Sequence, residues 1–268
     1  STLDRSSAAS DVYKRQDEVS PNYPWMAQTG RSTGLNYGYL FDRFLAVDDF
    51  DAEGNLKVDA KGNSLLPAMS LANPKPGDVL FKDLNGDGKI NGDDKTYFGY
   101  SDRPDYVFGL LGGIRWKGFE ISMQWTAGLH ASRVLSGEYR EPFGSTNSRA
   151  LLKFLANDSW TPNHTNARFP RMTFTRKQHY LEDSDLWLMD GSYLRLKVLD
   201  IGYTFGQSKA LSKVGIKSLR IYLSGYNLLT FFSELNDMDI DPEGTTGGST
   251  IDSYPNVRIF NLGVNLAF

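Results

Sequence analysis

Alternation of apolar and polar side chains is clearest in residues 106–127, which read YVFGLLGGIRWKGFEISMQWTA. From residue 106 to 116 the even positions carry the large apolar side chains, and from 119 to 127 the odd positions do. A period of two on either side of a short turn at Lys117-Gly118 predicts a β-hairpin. Each strand spans about 9 to 11 residues, the length with which a tilted strand crosses a bilayer.

The same alternation recurs in residues 192–205, 218–231 and 257–268. In the first of these segments Arg195 and Lys197 share the phase of the apolar residues that follow. Two placements account for them: a position above the bilayer, or a β-bulge between Val198 and Leu199 that changes the phase. The chain is therefore predicted to be all-β.

The connections between these strands decide between two all-β architectures, since a soluble sandwich shows the same alternation. Short connections at 117–118 and about 206–217 alternate with long ones at about 129–191 and 231–256. This asymmetry is typical of a transmembrane β-barrel with short periplasmic turns and long extracellular loops. The sequence favours the C-terminal portion of a large antiparallel barrel, and a secreted, calcium-stabilised β-sandwich that binds polysaccharide remains the alternative.

Composition excludes several classes of protein but does not distinguish the barrel from the sandwich. The 268 residues carry a formal net charge of −3 and no Lys/Arg run, which argues against a nucleic-acid-binding protein. The absence of cysteine excludes disulfides and thiolate metal sites. No G-x-S-x-G, G-x-G-x-x-G or Walker pattern occurs, so we do not expect an enzyme.

The N-terminal segment is not expected to be part of the fold. Residues 6–16, SSAASDVYKRQ, are the translation of a transposase adapter used to prepare sequencing libraries. We therefore assign residues 1–16 to an adapter artefact and residues 17–268 to the receptor strands and loops, as a piece of a longer protein.

Residues 83–94, DLNGDGKINGDD, have the twelve-residue spacing of a calcium loop. The predicted ligands are side-chain oxygens and one backbone carbonyl, that of Lys89: Asp83, Asn85, Asp87, Lys89 and Asp94. Pro74 and Pro76 upstream argue against the entering helix of an EF-hand sensor. A structural Ca²⁺ clip is predicted, and a turn closed by its own hydrogen bonds without an ion remains the alternative.

The order of the sequence motifs along the chain resembles that of a known protein family. PGDVLFKDLNGDGKINGDDKTYFGY is followed by RPDYVFGLLGGIRWKGFEISMQW, DSWTPNHTNARFPR, SDLWLMDGSYLRLKVLDIGYTF, SLRIYLSGYNLLTF and YPNVRIFNLGVNLAF. In this order the pieces resemble the C-terminal part of the SusC/RagA family of TonB-linked outer-membrane receptors. The resemblance is dense over residues 77–268 and looser around residues 30–44.

This resemblance implies a function that belongs to the whole receptor. Family members are plugged barrels of about 22 strands, so this chain would supply roughly the last five or six. They lie in the outer membrane of Gram-negative bacteria such as Bacteroidota, in contact with its lipid, and import oligosaccharides or peptides. A SusD-type surface lipoprotein covers them, and the TonB complex acts through an N-terminal region absent from this chain.

Two groups of side chains have competing interpretations. Trp160 and Trp187 fall in predicted extracellular segments, where packing inside the loops is favoured over stacking against sugars. Arg115, Glu120 and Gln124 fall on the predicted lumenal face, where they are interpreted as polar groups of the wall in preference to substrate ligands. The segment ALLKFLAND at 150–158 is predicted to form a short helix within a loop.

Overall fold

The computed structural model describes residues 22–71, 73–143, 151–174, 178–206, 211, 213–238, 240–244 and 256–268. The segment assigned to the adapter, residues 1–16, lies outside this part of the chain. The chain divides into two compact units, residues 1–101 with 134–188 and residues 102–133 with 189–268. Within the described residues, none of the helices is both long enough and apolar enough to span a bilayer.

The first unit is built from short strands and single helical turns. Its strands are β1 (Asn36–Gly38), β2 (Phe41–Phe44), β3 (Ala68–Met69), β4 (Val79–Phe81), β5 (Lys89–Ile90) and β6 (Thr96–Phe98). β1 pairs with β6 and β2 with β4, both antiparallel, and β3 pairs with β5 in parallel. The helices are α1 (Lys153–Asn157) and α2 (Gln178–Leu181), with 3₁₀ turns at Pro24–Met26, Val47–Asp49, Gly92–Asp94, Gly137–Tyr139 and Asp185–Trp187. α1 confirms the short loop helix predicted at 150–158.

A buried carboxylate ties the first unit together. Asp78 is fully buried, and its Oδ1 accepts hydrogen bonds from Arg171 Nε and Tyr180 Oη, each at 2.6 Å. A buried carboxylate needs such partners, because an unpaired charge in the interior is costly. Burial, followed by the neighbouring Asp78 carboxylate, raises the pKa of Tyr180 well above its ordinary value. The segment around residue 78 is thus joined to residues 171–180, about a hundred positions later in the chain.

The two tryptophans considered as sugar platforms lie inside this unit. Trp160 exposes 6% and Trp187 exposes 1% of its surface. The ring of Trp187 stacks on Phe169 with centroids 5.8 Å apart. Their burial agrees with packing within the loops, the interpretation that the sequence favoured, and leaves no ring face open for stacking against a sugar.

The second unit contains a five-stranded antiparallel sheet. Its strands are β7 (Tyr106–Trp116), β8 (Phe119–Leu129), β11 (Tyr193–Phe205), β12 (Ser218–Phe231) and β13 (Ile259–Ala267), in the order β13-β12-β11-β8-β7. A 3₁₀ turn at Glu234–Met238 and two short strands, β9 (Ser132–Val134) and β10 (Leu188–Asp190), complete the list; all but one residue of each short strand belongs to this unit. All four predicted strand segments are confirmed, and among the described strands the sheet does not close on itself.

The turn between β7 and β8 follows from its two residues. Lys117 and Gly118 both adopt positive φ, 47° and 89°. This is the backbone of the two-residue turns that fit the right-handed twist of a hairpin, and glycine adopts it without steric cost. Trp116 faces Phe119 across the turn, and Phe119 faces Tyr203 on β11. Aromatic side chains therefore lie together at this end of the sheet, as they do in the interfacial girdles of transmembrane β-barrels.

The register gives the sheet one continuous apolar face. One row across all five strands consists of Ile114, Ile121, Ile201, Leu223 and Leu262. At the β7 edge Ile114 is 70% exposed, and at the β13 edge Leu262 is 78% exposed. Within the described residues this face is not covered by a second sheet. The sandwich alternative requires such a cover, so the structure favours the wall of a barrel.

A bulge in β11 explains its two misplaced basic residues. The register of β11 shifts between Leu196 and Val198 in both of its ladders. Against β8, Lys197 is the extra residue. Against β12, the extra residue lies on β12, which has two residues, Asn227 and Leu228, in this interval. The sequence placed the bulge between Val198 and Leu199, a little further along the strand. Because one extra residue reverses the phase, Arg195 lies on the polar face, opposite Thr126 and Thr230.

Candidate functional site

The polar face of the sheet carries a chain of charges near the 117–118 turn. Arg115 Nη2 lies 2.6 Å from Glu120 Oε1, and Arg220 Nε lies 3.7 Å from Glu120 Oε2. Arg220 also donates to the carboxylate of Asp200. The network therefore links side chains of β7, β8, β11 and β12.

A tyrosine and a glycine support the arginine at the centre of this network. The guanidinium of Arg220 lies 4.7 Å from the ring centroid of Tyr222, within cation–π range. The Tyr222 ring in turn lies over Gly263 on β13, where an added β-carbon would come within 2.3 Å of it. A larger residue at position 263 would displace the ring, so the glycine is part of the arrangement.

The charge network indicates the role of the polar face of the sheet. Arg115 and Glu120 bind each other, as expected for polar groups of a wall, and Gln124 lies exposed further along the same face. With apolar side chains on the opposite face, the sheet has the two surfaces of a wall between hydrocarbon and water. Its strands offer polar groups and paired charges to whatever occupies the lumen.

A second charge cluster lies at the other end of the polar face. Arg195 is 3% exposed; its Nη2 donates to Asp241 and its Nη1 to Glu243, both at 2.8 Å, and its Nε donates to Thr230 at 3.1 Å. Lys197 Nζ lies 3.3 Å from Glu243. Asp241 and Glu243 were not predicted from the sequence. The one signal was Arg195 in an apolar phase, since a buried arginine requires acidic partners.

The loop at residues 83–94 lies in the first unit, between β4 and β6. Strands and not helices flank it, so the EF-hand sensor is excluded, in agreement with the sequence. Gly86 and Gly88 adopt φ of 73° and 78°, which curls the backbone. The carboxylate of Asp83 accepts hydrogen bonds from the N–H groups of both glycines, at 2.7 and 2.8 Å.

The remaining predicted ligands continue this pattern of local hydrogen bonds. Asn85 Oδ1 accepts from Asp87 N at 2.9 Å, and Asp87 Oδ1 accepts from Lys89 N at 2.7 Å. Asp94 is fully buried; its Oδ1 accepts from Leu84 N at 2.8 Å, and its Oδ2 accepts from the N–H of residue 91 at 2.9 Å. Asp94 thus closes the loop and caps the 3₁₀ turn that contains it.

The fit of this loop to calcium can be judged from these contacts. The oxygens are of the hard type that Ca²⁺ prefers, and Asp87 is exposed. However, among the described residues no three acidic or histidine side chains converge as a metal-binding group. The hydrogen bonds of Asp83 and Asp94 close the loop by themselves. Calcium binding by Asp83, Asn85, Asp87, Lys89 and Asp94 stays a prediction.

Sequence comparisons relate the chain to two curated receptors. It is 34% identical over 251 residues to TonB-dependent receptor P3 of Formosa agariphila, covering 89% of this chain and 22% of that protein. It is 25% identical over 260 residues to TonB-dependent receptor SusC of Bacteroides thetaiotaomicron, covering 94% and 24%. The chain therefore spans less than a quarter of the length of these relatives. No family model matches it.

Structural comparisons agree on the fold. The chain superposes on a RagAB peptide transporter structure with a TM-score of 0.58 and 19% identity, covering 87% of this chain and 22% of the other. The closed-closed and open-open states of the RagAB peptide importer give TM-scores of 0.54 and 0.57, at 22% and 19% identity. They cover 87% and 92% of this chain, and 23% and 25% of the matched chains.

Proposed function

Because the chain belongs to the SusC/RagA-type TonB-dependent receptors, we propose that it forms part of an outer-membrane importer of large nutrients. The nutrients are oligosaccharides or peptides, and the importer is not an enzyme. A SusD-type surface lipoprotein is its extracellular partner, and energy reaches it from TonB through a region outside this chain.

One observation carries the proposal: the five-stranded sheet has an apolar face that the described residues leave uncovered. Phe260, Leu262 and Val264 on β13 are 68%, 78% and 57% exposed. Leaving so much apolar surface in water is unfavourable, at about 25 cal/mol for each Å². Lipid removes that penalty, whereas the opposite face, with Arg115, Glu120 and Arg220, suits an aqueous lumen.

The edges of the sheet support the same proposal. β7 and β13 each pair on one side only among the described strands. Unpaired backbone groups cannot remain in the hydrocarbon region of a membrane. The sheet therefore requires further strands, which a complete receptor of the relatives' length would supply.

The proposal is tested with the complete receptor in its bacterium of origin. We expect the protein to fractionate with the outer membrane and to require detergent for extraction. We expect deletion of its gene to abolish growth on one oligosaccharide or peptide nutrient, and an otherwise intact receptor that cannot contact TonB to fail to restore growth. Co-purification of a surface lipoprotein tests the partner.

Two results would overturn this function. Recovery of the protein in the soluble fraction without detergent would favour the secreted sandwich instead. Import that continues unchanged without TonB would show that TonB does not supply its energy.

A further inference from the structure

A cavity of about 290 Å³ opens in the second unit, beside the buried Arg195. Its walls come from β11, β12, residues 236 and 240–242, and the two residues 256 and 258 that precede β13. The volume lies just below the range of about 300–1,000 Å³ for ligand pockets. It is large enough for a short part of a ligand.

Irregular backbone on two neighbouring strands shapes this cavity. β11 bulges at Lys197 relative to β8, and Asn227 on β12 adopts a positive φ of 53°. Asparagine is one of the few residues that tolerate this conformation. Bulges often lie next to functional sites because they redirect side chains. Here the bulge in β11 places the side chain of Arg195 on the polar face of the sheet.

The charge that the cavity presents is positive. Arg195 and Asp241 both line it, but they bind each other at 2.8 Å, so their charges compensate. Arg258 also lines it and is exposed. Within the described part of the chain, no acidic side chain forms an ion pair with Arg258. A guanidinium in this situation suits a carboxylate, to which it can donate two parallel hydrogen bonds.

Two asparagine side chains in the walls already use their NH₂ groups in hydrogen bonds. Asn227 Nδ2 donates to the carbonyl of Val257 at 3.3 Å, and Asn236 Nδ2 donates to that of Thr230 at 3.2 Å. No described residue donates to the amide oxygen of either asparagine. These two oxygens can therefore accept N–H groups from a ligand.

This chemistry matches a peptide better than a sugar. A peptide end offers backbone N–H donors together with a carboxylate. Among the described residues that line the cavity none is aromatic, so it lacks a flat apolar surface against which a sugar ring could stack.

We propose that this cavity is a subsite for the carboxylate-bearing end of a peptide. Arg258 binds the carboxylate, Asn227 and Asn236 accept backbone N–H groups, and the Arg195–Asp241 pair fixes the wall behind them. The inference rests on the proposed import function and narrows its substrate class to peptides.

The experiment measures binding to the complete purified receptor in detergent. The probes are N-terminally fluorescein-labelled hexaalanine with a free C-terminal carboxylate and the same peptide with a C-terminal amide. We expect the carboxylate form to bind more tightly in the unchanged receptor. We expect Arg258→Gln to weaken its binding about tenfold, the loss of one charge-assisted contact, and to leave the amide form unaffected. Lys213→Gln, an exposed lysine elsewhere in the same unit, is the matched control and leaves both unchanged.

The outcomes of this experiment distinguish failure of the proposed subsite from failure of the proposed import function. Equal binding of the two probes, or no effect of Arg258→Gln, overturns the subsite. Tight binding of a tetragalacturonate that is lost in Arg258→Gln, while the peptides do not bind, assigns the cavity to acidic sugars and overturns the peptide. Failure of the growth experiment together with the expected binding would overturn the importer but not the subsite.

Discussion

The guanidinium of Arg220 lies directly over Gly202 on the neighbouring strand. A β-carbon built on Gly202 would approach Arg220 Nη2 within 2.8 Å. Because β11 has no side chain at this position, Arg220 can cross over it from β12. There it reaches Asp200 and lies 3.7 Å from Glu120 on β8. The absence of one side chain thus lets charges on four strands form a single network.

The substitution Gly202→Val tests this relationship. We expect it to displace the guanidinium and to lower the free energy of unfolding by about 1 kcal/mol, the lower end for overpacking because the arginine end can move. The urea midpoint of the complete receptor in lipid vesicles measures the effect. Gly109→Val is the matched control, since Gly109 lies on the same face with no atom within 4 Å of its added β-carbon. Equal shifts for both variants would contradict the role of Gly202.

The two faces of β13 predict opposite tolerance of charge. We expect Leu262→Arg to destabilise the receptor by about 2–4 kcal/mol, the cost of arginine on the lipid face near the bilayer midplane. Asn261→Arg, one position earlier on the polar face, should cost much less. Urea unfolding in vesicles compares the two variants. Similar losses in both would show that the face of Leu262 does not contact lipid.

The pair of Arg43 and Asp49 predicts a pH-dependent contribution in the first unit. Hydrogen bonds from Arg43 Nη1 and Nη2, at 2.6 and 2.9 Å, hold the pKa of Asp49 below its ordinary value. A lowered pKa in the folded state means that the stabilisation is present above the ordinary Asp pKa of about 3.9. It is lost as the pH falls through the lowered folded-state pKa.

We therefore expect Asp49→Asn to weaken local protection at pH 7 and to have little effect once the pH lies below both pKa values. Because Arg43 is partly exposed, the expected size at pH 7 is only about 0.5–1 kcal/mol. Hydrogen exchange of the Ala46 amide, which donates to Asp49 Oδ2, reports it. Asp42→Asn, an exposed neighbour, is the control. If the effect of Asp49→Asn did not change with pH, the charge of Asp49 would not be the source of the stabilisation.

Calcium at residues 83–94 is a prediction with a direct test. We expect removal of Ca²⁺ by EGTA to reduce hydrogen-exchange protection of Gly86 and Gly88, and added Ca²⁺ to restore it. Asp87→Asn should weaken this response, because affinity in such loops depends on ligand charge. The ion-free alternative expects no response to EGTA, since the hydrogen bonds of Asp83 and Asp94 already close the loop.

The sequence by itself determined the strands, their two faces and the hairpin turn. Residues 106–127 specify them locally, because alternation with a period of two and a Lys-Gly turn depend only on near neighbours in the chain. The acidic loop at 83–94 and the absence of an EF-hand could be predicted for the same reason. The bulge in β11 was predicted as one of two placements for Arg195 and Lys197, with an error of about one residue.

Only the tertiary structure decided which distant residues meet. Arg195 binds Asp241 and Glu243, 46 and 48 positions later, which lie within a long connection that carries no periodic signal. Gly202 allows the charge network only because β12 pairs beside it. For Trp160 and Trp187 the sequence favoured packing over sugar stacking, but only the structure shows the contacts that bury them. Such contacts depend on how strands and loops come together, which local alternation of side chains does not encode.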